Sequence, residues 1–218
     1  MSTHKLSRRY VLKSLATGAV SAVAIPTVIP RSALGDDATP GANERITVGV
    51  IGTGGRSRLL IEQLPSQGQI LAVCDCFLER AEQVNAEKGQ GRWAVYQDHR
   101  QLLERKDIDA VIVGTPDHTR VLVCIHACQA GKDIYAEKPL TLYIREGRVL
   151  VNAVRKYKRV FQVGSQQRSM AMNRIACEFI RSGKLGKIRV VQGCNYTGPR
   201  FYEGLPEEPI PAKLDWDR

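Results

Sequence analysis

The sequence predicts an α/β fold, a parallel, doubly wound sheet, and three observations carry that prediction. Between residues 45 and 166, short apolar runs alternate with longer segments of helical spacing. The runs are rich in β-branched residues and apolar throughout, as strands buried on both faces are. Each run stops abruptly at a small or polar residue, where a loop takes over. The composition agrees: 218 residues, 43% apolar and 25% charged, is the profile of a globular chain. That length holds one large domain or two modest ones.

The strands follow in order. Ile46-Thr47-Val48-Gly49-Val50-Ile51 stops at Gly52, and Ile70-Leu71-Ala72-Val73-Cys74 stops at Asp75. Ala94-Val95-Tyr96 is shorter and weaker. Ala110-Val111-Ile112-Val113 ends at Gly114-Thr115-Pro116, and Asp133-Ile134-Tyr135-Ala136 ends at Glu137-Lys138-Pro139. Val160-Phe161-Gln162-Val163 ends at Gly164-Ser165. Between them, helices are expected over Arg56–Leu64, Phe77–Lys88, His99–Arg105, Asp117–Ala130 and Thr141–Tyr157. Asp98 is a candidate N-cap for the third. Gly89 and Gly131 stand where the second and fourth should stop. Right-handed crossovers between parallel strands then place helices on both faces of the sheet.

The first strand–turn–helix carries a cofactor signal. Gly52-Thr53-Gly54-Gly55-Arg56-Ser57 matches G-x-G-x-x-G, with Ser57 at the last position. Gly52 permits the tight turn, Gly54 lets backbone approach a pyrophosphate, and a small residue at 57 lets helix and strand pack closely. The helix N-terminus offers unpaired N–H groups to the phosphates. Asp75 closes the second strand 20 residues past Gly55, where an acid accepts hydrogen bonds from ribose hydroxyls and repels a 2′-phosphate. The combination predicts a dinucleotide-binding Rossmann domain over residues 45–166 that takes NAD. Arg56 leaves NADP open as the alternative.

In an open α/β sheet, ligands sit beyond the carboxyl ends of the strands. Three later ends hold polar clusters: Thr115-Pro116-Asp117-His118, Glu137-Lys138-Pro139, and Gly164-Ser165-Gln166-Gln167-Arg168. The phrases G-V-I-G-T-G-G, T-P-D-H, A-G-K-D-I-Y-A-E-K-P and S-G-K-L-G-K-I together closely resemble the Gfo/Idh/MocA oxidoreductases, from about residue 46 to 191. The resemblance implies hydride transfer between a nicotinamide and a sugar or polyol hydroxyl. It assigns Lys138 to the nicotinamide and the substrate hydroxyl, as the residue that polarises or relays a proton. It puts Thr115, Pro116, His118 and Glu137 on the cofactor. Asp117 lies near the ribose or nicotinamide, and Gln166, Gln167 and Arg168 at the mouth of the substrate pocket. Position 120 is Arg where many relatives have His.

The family's architecture implies a second α/β domain built on a large open sheet. Residues 167–218 are then its beginning, with a helix over 171–181 and a first strand at Ile188–Tyr196. On that reading the chain is the incomplete N-terminal part of a longer protein. Homo-oligomers are expected only where the second domain is complete. Two other functions fit the motifs. One is an NAD-dependent glycosidase that oxidises and re-reduces its sugar. The other is a nucleotide-binding partner without turnover.

The N-terminus reads as an address. Ser7-Arg8-Arg9-Tyr10-Val11-Leu12-Lys13 is similar to the twin-arginine signal of bacterial Tat substrates. An Ala- and Val-rich stretch from Leu15 to Pro30 follows, too short and weakly apolar to span a bilayer. Ala33-Leu34-Gly35 supplies small residues for cleavage. Residues 1–35 are thus an expected signal peptide, 36–44 a linker, the Tat translocase a partner during export, and the periplasm the destination. The formal charge of +10 is concentrated here: Lys5, Arg8, Arg9, Lys13 and Arg31 face no acid before residue 36. The remaining chain holds 27 basic and 22 acidic residues, or +5. With no long basic run and few interleaved aromatics, nucleic-acid binding is a poor reading.

Cys74, Cys76, Cys124, Cys128, Cys177 and Cys194 form no C-x-x-C pair, so neither a metal site nor a disulfide framework is indicated. They read as small buried hydrophobes. His99 and His126 read as packing or surface residues.

Overall fold

The structure is a computed structural model that describes Leu34, residues 40–194, Gly198, Phe201 and residues 204–216. The expected signal sequence, apart from Leu34, and most of the linker lie outside the described residues. Met1–Glu44 and Arg45–Arg218 form separate compact units.

Six parallel strands make one sheet: β1 Ile46–Ile51, β2 Gly68–Cys74, β3 Ala94–Tyr96, β4 Ala110–Val113, β5 Asp133–Glu137 and β6 Phe161–Gly164. Their order is β3-β2-β1-β4-β5-β6, so the chain reverses direction across the sheet between β1 and β4. That reversal opens a crevice at the carboxyl ends of the two strands. The helices are α1 Gly55–Glu62, α2 Leu78–Glu87, α3 His99–Glu104, α4 Asp117–Gln129, α5 Ile144–Tyr157 and α6 Ala171–Arg181.

The strand pattern explains the two cores. Val48, Val50, Ile70, Val73 and Ile112 face one side and pack with Ala81 and Val84 of α2 and Leu60 and Ile61 of α1. Ile51, Ala72, Cys74, Val111, Val113, Ile134 and Ala136 face the other, under α3, α4 and α5. Strands covered on both faces have no polar side to show, which is why their sequences run apolar without alternation. Gly49 is needed where α3 presses closest: a Cβ there would lie 2.7 Å from Leu102 Cδ2.

Helix ends follow local chemistry. The Asp98 carboxylate accepts from Arg100 N at 2.9 Å and caps α3. Glu146 Oε2 accepts from Leu142 N and Tyr143 N, each at 3.1 Å, and starts α5 three residues later than the expected Thr141. After α4, Gly131 at φ 77° lets Lys132 N bond Ala127 O and Gly131 N bond Cys128 O. This is the two-bond glycine stop that the sequence anticipated.

Of the strand expected at Ile188–Tyr196, the described residues 188–194 form none. Within that run, Val190 and Val191 are 74% and 85% exposed. A strand needs a partner ladder, and none of the six named strands pairs with this run. Val160 also falls outside β6: it sits 70% exposed before the strand, its N–H on Asp133 Oδ1. Among the described residues no helix is long and apolar enough to cross a membrane. All six cysteines are free. Cys74, Cys124 and Cys128 are buried as expected of small hydrophobes, whereas Cys177 and Cys194 are exposed.

Candidate functional site

A cleft of about 470 Å³ opens at the carboxyl ends of β1, β2 and β4. The glycine turn after β1 forms its floor. Gly52 takes φ 84° and lies so close to the β4 loop that a Cβ would stand 2.8 Å from Gly114 C and 2.9 Å from Thr115 N. Gly54 and Gly55 differ: a Cβ on either would meet nothing within 4 Å. Open space over these two glycines is what a pyrophosphate approaching backbone requires. Gly54 caps α1 without any side-chain bond, so the first-turn N–H groups are left for a ligand. Ser57, fully buried, packs under the turn, and a Cβ on Gly114 would collide with its Oγ at 2.0 Å.

Asp75 lines the cleft and also builds it. Its Oδ2 accepts from Thr53 N at 2.8 Å and Thr53 Oγ1 at 2.9 Å, while Oδ1 accepts from Phe77 N at 3.0 Å. A carboxylate has about four lone-pair directions, and the fourth here, on Oδ1, takes the weakly donating Cys76 thiol, which a ribose hydroxyl would displace. The Cys76 thiol lies 3.8 Å from that oxygen. Burial, then the Asp75 charge, pushes the Cys76 thiol up, so it stays protonated near neutral pH.

Thr115, Pro116 and His118 line the cleft wall, with Pro116 at the N-cap of α4. Thr53 is buried beneath it. Asp117 is 44% exposed and pairs with Arg120 at 3.1 Å. Arg120, 4% exposed, also donates to the carbonyls of Thr115 and Pro139. Arginine at position 120 therefore ties the β4 loop to the β5 loop, a role that sequence reasoning missed.

Glu137 is 3% exposed and does not reach the Lys138 ammonium. Its Oε1 accepts from Arg56 Nε at 2.7 Å and its Oε2 from Lys138 N at 3.0 Å. Glu137 thus orients Lys138 through the main chain, and its hydrogen bond holds the Arg56 guanidinium above its ordinary value. Gly164 leaves room for this pair: a Cβ there would lie 2.9 Å from both Glu137 Oε1 and Tyr135 Oη. The Lys138–Pro139 peptide is cis, and Lys138 is exposed at the end of β5.

Gln166, Gln167 and Arg168, expected at the mouth of the substrate pocket, lie outside the lining of this cofactor cleft, as do Glu137 and Lys138. The first three form a single 3₁₀ turn, Gln166–Ser169, after β6. The β5–β6 register pairs Glu137 with Gly164, so this turn leaves the sheet beside Lys138. Instead the cleft takes Arg80, Gln97 and His99. Gln97 and His99 follow β3, and the strand-end rule finds them once that weak strand is treated like the others. Arg80 lies over the Phe77 ring, 5.3 Å from its centroid. His99 stacks on His126 with ring centroids 5.3 Å apart and Nε2 to Nδ1 at 2.9 Å. No group of three or more His, Cys, Asp or Glu among the described residues is placed to hold a metal ion.

The strand order, the glycine turn and Asp75 define a dinucleotide-binding Rossmann domain. Residues 46–165 match the model of the Gfo/Idh/MocA oxidoreductase family, NAD-binding Rossmann fold. The chain belongs to that family. It is 33% identical over 149 residues to the scyllo-inositol 2-dehydrogenase (NAD(+)) of Bacillus subtilis (strain 168), covering 68% of this chain and 40% of that protein. It is 30% identical over 175 residues to glycosyl hydrolase family 109 protein 1 of Shewanella sp. (strain ANA-3), covering 70% of this chain and 38% of the other. Among solved structures, the scyllo-inositol dehydrogenase of Lactobacillus casei with bound NAD(H) and scyllo-inositol shares the fold at a TM-score of 0.60 and 23% identity, over 65% of this chain and 42% of that one. The chain thus spans about 40% of the length of the relatives it matches.

Proposed function

We propose that this chain is the NAD-binding part of a dehydrogenase of the inositol type, acting on a sugar or polyol hydroxyl. The observation that carries the reading is the empty space over Gly54 and Gly55, in a cleft that Asp75 lines, with Arg56 joining that turn to Glu137 at the end of β5. When bound, NAD supplies the hydride acceptor. The protein's residues do the rest. The open N-terminus of α1 holds the pyrophosphate. Asp75 Oδ1 accepts a ribose hydroxyl and disfavours a 2′-phosphate, which favours NAD over NADP. Lys138, exposed directly after β5, would polarise the substrate hydroxyl or relay its proton as hydride leaves the carbon that bears it. Glu137, held by Arg56, fixes the backbone from which Lys138 extends.

Titration of the chain with NAD and NADP tests the cofactor half. The expected result is NAD binding with a clear preference over NADP, narrowed in Asp75→Ser. Asp75 also anchors Thr53, so the variant loses affinity for both nucleotides, and the ratio is the diagnostic quantity. No binding of either nucleotide by the parent chain refutes the reading.

The similarity to a family 109 glycosyl hydrolase supports a second reading, glycoside cleavage through transient oxidation. The two part company on product: a dehydrogenase accumulates NADH, whereas the glycosidase releases an aglycone without it. The Ser7–Lys13 sequence further supports export to the periplasm by the twin-arginine route. Replacing Arg8 and Arg9 with Lys preserves charge and is expected to retain the precursor in the cytoplasm. Undiminished periplasmic protein refutes that route.

A further inference from the structure

A segment well outside the family-matched residues lies against the turn that follows Asp75. Phe77 and Leu214 form an antiparallel bridge. Leu78 N donates to Lys213 O at 3.0 Å, and Asp215 N donates to Cys76 O at 2.9 Å. The Gln97 side-chain amide donates to both Cys76 O and Lys213 O, each at 3.0 Å. Lys213 Nζ reaches Glu82 Oε2 on α2 at 2.6 Å. Residues 211–216 thus strap the Cys76–Leu78 turn on its outer side, with Gln97 as the clamp. The inner side of that turn carries Phe77 N, which holds Asp75 Oδ1. It also carries the Phe77 ring under Arg80 at the cleft wall.

We propose that residues 211–216, clamped by Gln97, are part of the cofactor site, where they pre-set the turn that receives the adenosine half of NAD. The inference rests on the NAD reading above. Its physical basis is preorganisation. The turn is an irregular connection whose carbonyls and N–H groups would otherwise sample several arrangements. Two main-chain bonds from the strap and one from the Gln97 amide hold it in one, and a second Gln97 amide bond holds the strap, so binding does not have to order it. Gln97 lines the cleft and also positions the turn through Cys76 O; ending the chain at Pro209 separates the two roles, because it removes the strap and leaves Gln97 in place.

Two variants test this: Gln97→Leu, which keeps size and removes both amide bonds, and a chain ending at Pro209. Affinities for NAD, AMP and nicotinamide mononucleotide are measured by calorimetry on each variant and the parent. Both variants are expected to bind NAD and AMP about 5- to 20-fold more weakly, with the mononucleotide unchanged. Unchanged NAD affinity in the chain ending at Pro209, whatever Gln97→Leu does, or equal weakening of all three ligands, overturns the proposal. Hydrogen exchange on the parent gives an independent check. Leu78 and Asp215 amides should be protected, and free exchange at both overturns it whatever the variants do. A parent that binds none of the nucleotides defeats the NAD reading itself, and this inference with it.

Discussion

Gly52 and Gly54 sit two residues apart in one turn, yet alanine at each should do opposite things. At Gly52 the backbone is left-handed, φ 84°, which costs a residue with a Cβ about 1–2 kcal/mol. The new Cβ would also lie 2.8 Å from Gly114 C, backbone that cannot rotate away, adding about 1–3 kcal/mol. Restricting the unfolded chain returns about 0.4–1 kcal/mol. The net is a loss of about 3 kcal/mol, or about 6–12 °C in Tm for a chain of this size. At Gly54 the backbone is φ −65°, ψ 176°, which alanine adopts without strain, and its Cβ would meet nothing. The unfolded-state gain is offset by about 1 kcal/mol for a poorer N-cap, so stability should stay within about 1 kcal/mol of the parent. The methyl instead occupies the space a pyrophosphate needs. A clash of about 1–3 kcal/mol weakens NAD about 5- to 150-fold. Differential scanning fluorimetry and NAD titration on both variants decide the matter. If Gly54→Ala binds NAD as the parent does, the pyrophosphate does not cross this turn. If Gly52→Ala melts with the parent, the close approach to Gly114 does not constrain the fold.

Arg56→Met leaves the Glu137 carboxylate buried without its guanidinium and should cost about 1–3 kcal/mol; adding Glu137→Gln should restore part of the loss, and a purely additive double variant refutes the coupling. In the proposed polyol dehydrogenase, Lys138→Ala should lower turnover by about 10²–10⁴-fold with NAD affinity held within about twofold, and full turnover removes Lys138 from the chemistry. Burial first, and then His126, holds His99 below the ordinary histidine value, while burial and then Arg100 do the same for His126. The unfolded chain therefore binds more protons below about pH 6.5, so stability is full above that pH and is lost as pH falls towards the depressed folded values. Thermal melts from pH 7.5 to 5 should show this fall, shallower in His99→Gln/His126→Gln; equal slopes for the two proteins exclude the pair as its source.

The sheet was legible because its causes are local. Unbroken β-branched runs, terminal glycines and the Asp98 cap each act within a few residues, so spacing alone located six strands and six helices. The described residues 188–194 of the strand expected at Ile188–Tyr196 lack regular structure for a reason spacing does not carry. A β-branched run becomes a strand only when a neighbour supplies hydrogen bonds, and residues 188–194 lie alone. Position along the chain located the glycine turn, Asp75 and the Glu137–Lys138 pair. It did not reveal that Glu137 faces Arg56, 81 residues earlier, because parallel crossovers bring such ends together only in three dimensions.

Asp75 shows most clearly what a motif conceals. Read as sequence, an acid ending the second strand is a ribose ligand. In the structure the same carboxylate already accepts three main-chain or hydroxyl bonds, two from Thr53 and one from Phe77. The acid therefore couples the phosphate turn to the adenosine turn before any ligand arrives. A serine or asparagine there would lose more than one contact with a nucleotide. Arg120 makes the parallel case on the other side of the crevice. It joins the Thr115 and Pro139 carbonyls, so the β4 and β5 loops are held together by a side chain buried at 4% exposure. Both residues work by holding loops that face the ligand. Substitution of Arg120 should therefore change cofactor affinity through loop geometry, and substitution of Asp75 through loop geometry in addition to its own ribose contact.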